Sequence, residues 1–190
     1  MPLVAGVVTV SFAAYISYAF WLRARSRSWR GHSLRERGGL AKWLPLFVWV
    51  PYAVVWLRPG PEIEIASWLA LLGLVLVVAG IAFAIWAAAT LGRHFDVEVQ
   101  VHRGHEVVRS GPYGLVRHPI YTGLGLHYLG ACLATGNLLL LAGTLAVTFP
   151  GLYLRARAEE ELLRSELGDA YDRYAREVPM LVPLPRPDAR

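Results

Sequence analysis

Charge is scarce in this sequence. Asp, Glu, Lys and Arg make up 17% of the 190 residues, where a soluble domain carries about 25%. Cys132 stands alone, which excludes an internal disulfide and a cysteine-based metal site. There is no glycine-rich phosphate loop and no Gly-x-Ser-x-Gly elbow, so the sequence marks of a nucleotide-phosphate cradle and of a serine hydrolase are both missing. His94, His102, His105 and His118 are scattered along one polar stretch without the i, i+4 helical pair of zinc enzymes, and no metal is expected. Fixed-period repeats and low-complexity segments are absent as well.

In their place the chain has apolar residues, 55% of the total, gathered into five blocks with almost no ionisable group. That is the pattern of helices embedded in lipid. Residues 3–22 carry no charge and are long enough to cross a hydrocarbon core of ~30 Å. With no basic leader or small-residue cleavage site, and with Trp21 and Arg23 as interface anchors, this block reads as a retained helix rather than a signal peptide. Residues 44–57 form a short block kinked by Pro45 and Pro51, and residues 65–91 are the clearest span. The blocks at 120–134 and 138–154 are joined only by Thr135-Gly136-Asn137, which forces an antiparallel helical hairpin over 119–154. Residues 155–177 then read as an amphipathic cytosolic helix, its apolar stripe made of Leu162, Leu163, Leu167, Tyr171 and Tyr174.

The expected fold is thus all-α: a polytopic membrane protein of about five transmembrane helices. Residues 1–91 would hold three of them, and residues 92–190 a cytosolic loop, the hairpin, the C-terminal helix and a proline-rich tail. Seven Trp and nine Tyr suit the aromatic belts of such a protein. Orientation follows from charge. Arg23, Arg25, Arg27, Arg30, Arg35, Arg37 and Lys42 face Glu36 alone after the first block, whereas Arg58 faces Glu62 and Glu64 after the second. The positive-inside rule then puts the 23–42 and 92–119 loops and the C-terminal helix in the cytosol, with the N-terminus outside. The net charge of +5 is read as cytosolic loops and contact with anionic membrane lipid, not as a nucleic-acid surface.

The polar chemistry concentrates in two segments on that cytosolic side. The first runs Gly111-Pro112-Tyr113-Gly114-Leu115-Val116-Arg117-His118-Pro119-Ile120-Tyr121. Pro119 suits the first turn of a helix, whose free N–H groups and partial positive charge favour a carboxylate or phosphate. Arg117 is read either as a headgroup anchor or as a site residue, and His127, inside the fourth block, either as a functional intramembrane group or as a histidine bonded to a neighbouring helix. In the second segment Arg155 and Glu159 are four residues apart on one helical face. That spacing alone is equally that of a solvated ion pair. Glu160 and Glu161 point elsewhere and are expected at the surface.

Taken in order, these residues resemble the isoprenylcysteine carboxyl methyltransferase family and the related membrane phospholipid methyltransferases. The resemblance runs through Leu91-Gly92-Arg93, Gly104-His105-Glu106-Val107-Val108-Arg109-Ser110-Gly111-Pro112-Tyr113 and Arg117-His118-Pro119-Ile120-Tyr121-Thr122-Gly123. It resumes after the hairpin at Arg155, Glu159-Glu160, Leu163, Gly168, Tyr171, Tyr174, Val178-Pro179 and Pro183. It implies a methyltransferase using S-adenosylmethionine, held by Gln100, His105, Glu106, Val107, Val108, Tyr113, His118, Pro119, Ile120, Tyr121 and Glu159. Arg155 would hold the carboxylate of a lipophilic acceptor, and Arg155 and Glu159 would be the catalytic pair. Leu167 stands where the family usually has Phe, and the additional N-terminal helices of eukaryotic members have no counterpart in this sequence. The resemblance leaves three acceptor chemistries open: an isoprenylcysteine-like carboxylate, a phospholipid amine and a thiol. An NADPH-dependent membrane reductase and a non-enzymatic membrane scaffold are the competing readings.

Overall fold

The computed structural model describes residues 2–26, 35–36, 50–92, 100–101 and 107–183. Helix α1 spans Pro2–Ser26 and carries Arg23 and Arg25 in its last turn, where cations complement the helix dipole. Arg25 lies over the Trp21 ring, 5.4 Å from its centroid. Two residues, Arg35–Glu36 (β1), pair antiparallel with Gln100–Val101 (β2). Helix α2 covers Val50–Leu57 and α3 Ser67–Leu91. A short 3₁₀ turn, Gly111–Gly114, precedes α4, Pro119–Thr135. Then α5 (Leu138–Gly143), a π-helical stretch (Thr144–Thr148) and α6 (Phe149–Leu167) form one continuous rod, before α7 at Asp169–Glu177.

Apart from the β1–β2 pairing the described fold is helical, as expected. Among the described residues three helices are long and apolar enough to cross a membrane: Pro2–Arg25, Ser67–Leu91 and Leu138–Leu167. The protein is an integral membrane protein. Of the five expected spans, the fourth is a 17-residue helix, and the second is described only over Val50–Leu57.

Local chemistry sets the element ends. Pro119 opens α4, where its missing N–H costs no helical bond. Gly136 closes it in the left-handed region, φ 64°, a conformation glycine adopts without a Cβ clash. Asn137 then caps α5 by accepting from Leu140 N–H at 2.8 Å. The hairpin bend is stitched to the 58–66 loop: Ile63 N–H donates to Gly136 O at 2.9 Å, Leu138 N–H to Pro61 O at 3.0 Å, and the Asn137 side chain to Pro59 O at 3.1 Å. The π stretch lies just before Pro150. Proline there withholds an N–H and crowds the carbonyl four residues back, so the winding opens by one residue, with Phe149 N–H bonding back to Thr144 O.

The core seam lies between α3 and α4, which pack backbone to backbone. A Cβ on Gly80 would lie 2.5 Å from Gly123 O and 2.7 Å from His127 N, and one on Gly130 would lie 2.5 Å from Gly73 O. Small residues allow such an approach between membrane helices, where van der Waals contact replaces the hydrophobic effect as the attraction. His127 belongs to this seam: it is fully buried, with Nδ1 3.2 Å from Val77 O. Of its two sequence readings, the one bonded to a neighbouring helix holds. Helix α1 lays a buried stripe of Val8, Phe12, Tyr15, Ala19 and Leu22 on the pair.

The single amphipathic helix expected over 155–177 needs correction. Its first part is the end of α6, which begins at Phe149 and runs unbroken through the 154/155 boundary. The break comes at Gly168, φ 51°, a left-handed residue that ends α6 and lets α7 turn back with Asp169 and Asp172 in its first turn.

Candidate active site

The hairpin brings the two polar segments together at the end of the bundle away from the 58–66 loop. His118, immediately before α4, is 6% exposed. Its Nδ1 lies 3.5 Å from Glu159 and its Nε2 3.3 Å from Glu160. Its ring stacks on Tyr121, with centroids 5.8 Å apart and planes 17° from parallel. The Tyr121 hydroxyl donates to the Glu159 carboxylate and accepts from Arg155 Nε at 2.9 Å. Arg155 and Glu159 are also 3.9 Å apart along α6. Burial alone would push the His118 imidazole down, but hydrogen bonds and negative charge from Glu159 and Glu160 outweigh it and raise the pKa above the ordinary 6.5.

Tyr113 faces the same cluster from the 3₁₀ turn. It is buried, and burial, with the Glu159 charge adding to it, holds its phenol well above the usual range. The phenol is therefore a neutral donor, and its hydroxyl has no hydrogen-bond partner among the described residues. Pro119 is fully buried and Ile120 packs on the core, so they fix the start of α4 instead of presenting polar groups. Val107 and Val108 are half-buried ahead of the 3₁₀ turn. The Gln100 backbone is in β2, beside α6. The Gln100 side chain, His105 and Glu106 lie outside the described residues.

The two neighbouring glutamates differ, and here an expectation is corrected. Glu160, expected at the surface, is 2% exposed. It is enclosed by Arg117 at 2.7 Å, Arg164 at 3.0 Å and His118. The reason is helical phase: Leu152, Ala156 and Glu160 form the buried stripe of α6, and Arg117 waits opposite with a compensating charge. Arg117 is likewise neither a headgroup anchor nor open to a ligand. Besides Glu160 it donates to Ala175 O at 2.8 Å and Val178 O at 2.6 Å. Glu159, by contrast, keeps a quarter of its side chain accessible.

The segment after α7 straps this arrangement. Arg117 N–H donates to Pro179 O at 2.8 Å, His118 N–H to Met180 O at 3.1 Å, and the Thr122 hydroxyl to Leu181 O at 2.6 Å. The Tyr174 hydroxyl reaches Tyr113 O at 2.8 Å, and Arg109 both pairs with Glu177 at 2.6 Å and covers the Tyr174 ring. Sequence reasoning missed the strap's partners, for each bond joins residues some sixty positions apart. It also missed the α3–α4 seam, although Gly73 and Gly80, and Gly123 and Gly130, repeat at a helical spacing of seven.

Among the described residues no cluster of His, Cys, Asp and Glu suits a metal ion. The arrangement is a polar cluster of His118, Tyr121, Arg155 and Glu159, with one partly accessible carboxylate, at one end of a helical membrane bundle. The chain belongs to the phospholipid methyltransferase family, whose sequence model matches residues 68–170, more than half of the chain. It is similar to the protein-S-isoprenylcysteine O-methyltransferase of Xenopus laevis, 30% identical over 126 residues, covering 65% of this chain and 44% of that protein. It resembles the Homo sapiens protein of the same name at 32% over 128 residues, with coverage of 65% and 44%. A probable enzyme of this type from Oryza sativa subsp. japonica is 30% identical over 120 residues, covering 62% of this chain and 63% of the relative. The chain thus spans about half to two-thirds of the length of these relatives.

Proposed function

We propose that the protein is a methyltransferase that uses S-adenosylmethionine at the membrane–cytosol boundary, with the carboxylate of an isoprenylcysteine-like lipophilic acceptor as its substrate. The observation that carries this is the meeting of His118, Tyr121, Arg155 and Glu159 in one cluster, walled by Tyr113. The residues fit the donor. Glu159 offers an accessible anion to an ammonium or sulfonium group, the Tyr113 and Tyr121 rings suit a cation, and the uncapped start of α4 presents amides to a carboxylate. Gln100, His105 to Val108, and His118 to Tyr121 complete the donor side in this reading.

When bound, S-adenosylmethionine supplies a methyl group on a sulfonium cation: the acceptor oxygen forms the O–CH₃ bond as the C–S bond breaks, the electron pair stays on sulfur, and no proton is released. Such a displacement asks for alignment more than for acid–base chemistry. Arg155 orients the carboxylate, Glu159 fixes the donor, and Tyr121, bonded to both, sets the distance between them. Glu160 is fully engaged by two arginines and His118, so it serves the scaffold. Orientation belongs to the same proposal: five spans, the N-terminus outside, and the pocket and C-terminus cytosolic.

The family description favours a second acceptor, a phospholipid amine. It would need a group to take the ammonium proton, for which Glu159 is the accessible candidate. The test is transfer of a radiolabelled methyl group by the purified chain in liposomes, with N-acetyl-S-farnesylcysteine or phosphatidylethanolamine as acceptor. Labelled methyl ester with the first acceptor, lost in Glu159→Gln and Arg155→Gln, is the expected result. Label appearing only in the phospholipid would move the assignment to the amine, and no transfer to either would end it.

A further inference from the structure

The two adjacent glutamates make ion pairs of different build. Glu160 meets Arg117 at 2.7 Å and Arg164 at 3.0 Å, and its side chain is 3% exposed. Arg155 and Glu159 approach only to 3.9 Å, with 13% and 25% of their side chains accessible. That gap is too wide for a direct hydrogen bond. The Tyr121 hydroxyl fills it, donating to Glu159 and accepting from Arg155 Nε at 2.9 Å. His118 Nδ1 lies 3.5 Å from the other Glu159 oxygen. A guanidinium and a carboxylate thus face each other loosely across one neutral hydroxyl, each partly open to a ligand. A cation bound at Glu159 comes up against Arg155, and an anion bound at Arg155 comes up against Glu159. Cation and anion together give four charges of alternating sign.

We propose that the Arg155–Glu159 pair makes binding of a cationic donor and an anionic acceptor mutually dependent, and so selects an anionic acceptor over a neutral one. The inference rests on the methyltransferase reading, with Glu159 on the donor side and Arg155 on the acceptor side. Each ligand alone meets one like charge, and the two together cancel both. Charges this close and partly shielded from water interact strongly enough to shift an affinity several-fold. Methyl transfer removes the acceptor's negative charge and the donor's sulfonium in one step. The ester and the demethylated donor then no longer support each other, which favours their release. Glu160, enclosed by two arginines, takes no part.

The test uses the full chain in detergent and sinefungin, a cationic donor analogue that transfers no methyl group. Its affinity is measured by calorimetry alone, with saturating N-acetyl-S-farnesylcysteine, and with the methyl ester of that compound. The acid should tighten sinefungin binding about fivefold or more, and the neutral ester should leave it unchanged. Arg155→Gln, with its fold checked by the unfolding midpoint, should bind sinefungin alone more tightly than wild type, because a like charge is gone; a merely structural arginine would give a loss. A change with the acid of less than twofold, an equal gain with acid and ester, or weaker sinefungin binding in folded Arg155→Gln would overturn the coupling. Methyl transfer to the acid without that coupling would overturn this inference alone. A wild-type chain that transfers no methyl group to any acceptor would overturn the methyltransferase reading and the inference with it.

Discussion

The two ends of the bundle are held by different means. At the 58–66 end the main chain does the work: the hairpin bend and the facing loop exchange backbone hydrogen bonds, a left-handed glycine ends one helix and an asparagine starts the next. At the other end the backbone bonds of the strap are joined by side chains, through a chain of charges from Arg155 by way of Glu159 and His118 to Glu160, Arg117 and Arg164. Backbone bonds tolerate substitution because every residue but proline offers the same groups. A buried ion pair is less forgiving, since removing one member leaves its partner uncompensated, and Glu160 with Arg117 is the buried pair at this end. The end held mainly by backbone bonds is the structural one, and the end held mainly by charged side chains is where we place the chemistry.

The sharpest way to break this contrast is to attack the seam on which both ends hang. Gly80→Leu would drive a side chain into the α4 backbone at Gly123 and His127. We expect a loss of about 3 kcal/mol or more, read as failure to yield a monodisperse protein in detergent. Next comes Glu160→Gln, which leaves Arg117 buried without its countercharge and should cost about 3–5 kcal/mol in thermal unfolding. Glu159→Gln should show the opposite signature, with methyl transfer falling about a hundredfold while the unfolding midpoint barely moves. If the two variants behave alike, the division of labour between these neighbours is wrong.

A smaller effect separates the ends by pH. Because the folded pKa of His118 is raised, its contribution to stability is fully present below the unfolded value of about 6.5 and is lost as pH rises through the raised folded value. Thermal midpoints in detergent should therefore fall over that window, and His118→Asn should flatten the profile. Smallest of all, Asn137→Ala at the opposite end should cost about 1 kcal/mol, independent of pH and without effect on turnover.

Much of the structural end was legible in the sequence, because Gly136 and Asn137 act through local rules that need no distant partner. The apolar blocks were legible for the same reason. What could not be read was the fate of ionisable residues whose neighbours arrive from far along the chain. Nothing local distinguishes Glu159 from Glu160; the separation is made by Arg117, forty-three positions earlier, which meets one and not the other. Gly168 was readable as a helix breaker and was passed over because the polar–apolar pattern continues across it.

The widened π turn at Thr144–Thr148 has a consequence for the geometry of α6. Each residue of an α-helix advances its side chain by about 100°, and a π turn absorbs one more residue than the regular winding it replaces. Winding the same residues as a regular α-helix, with none deleted, would swing everything downstream by about that angle. Arg155 and Glu159 would rotate off the pocket as a block, with their composition and their spacing intact. The bulge works as an angular vernier, and the aim of the whole second segment is set some ten residues before it begins.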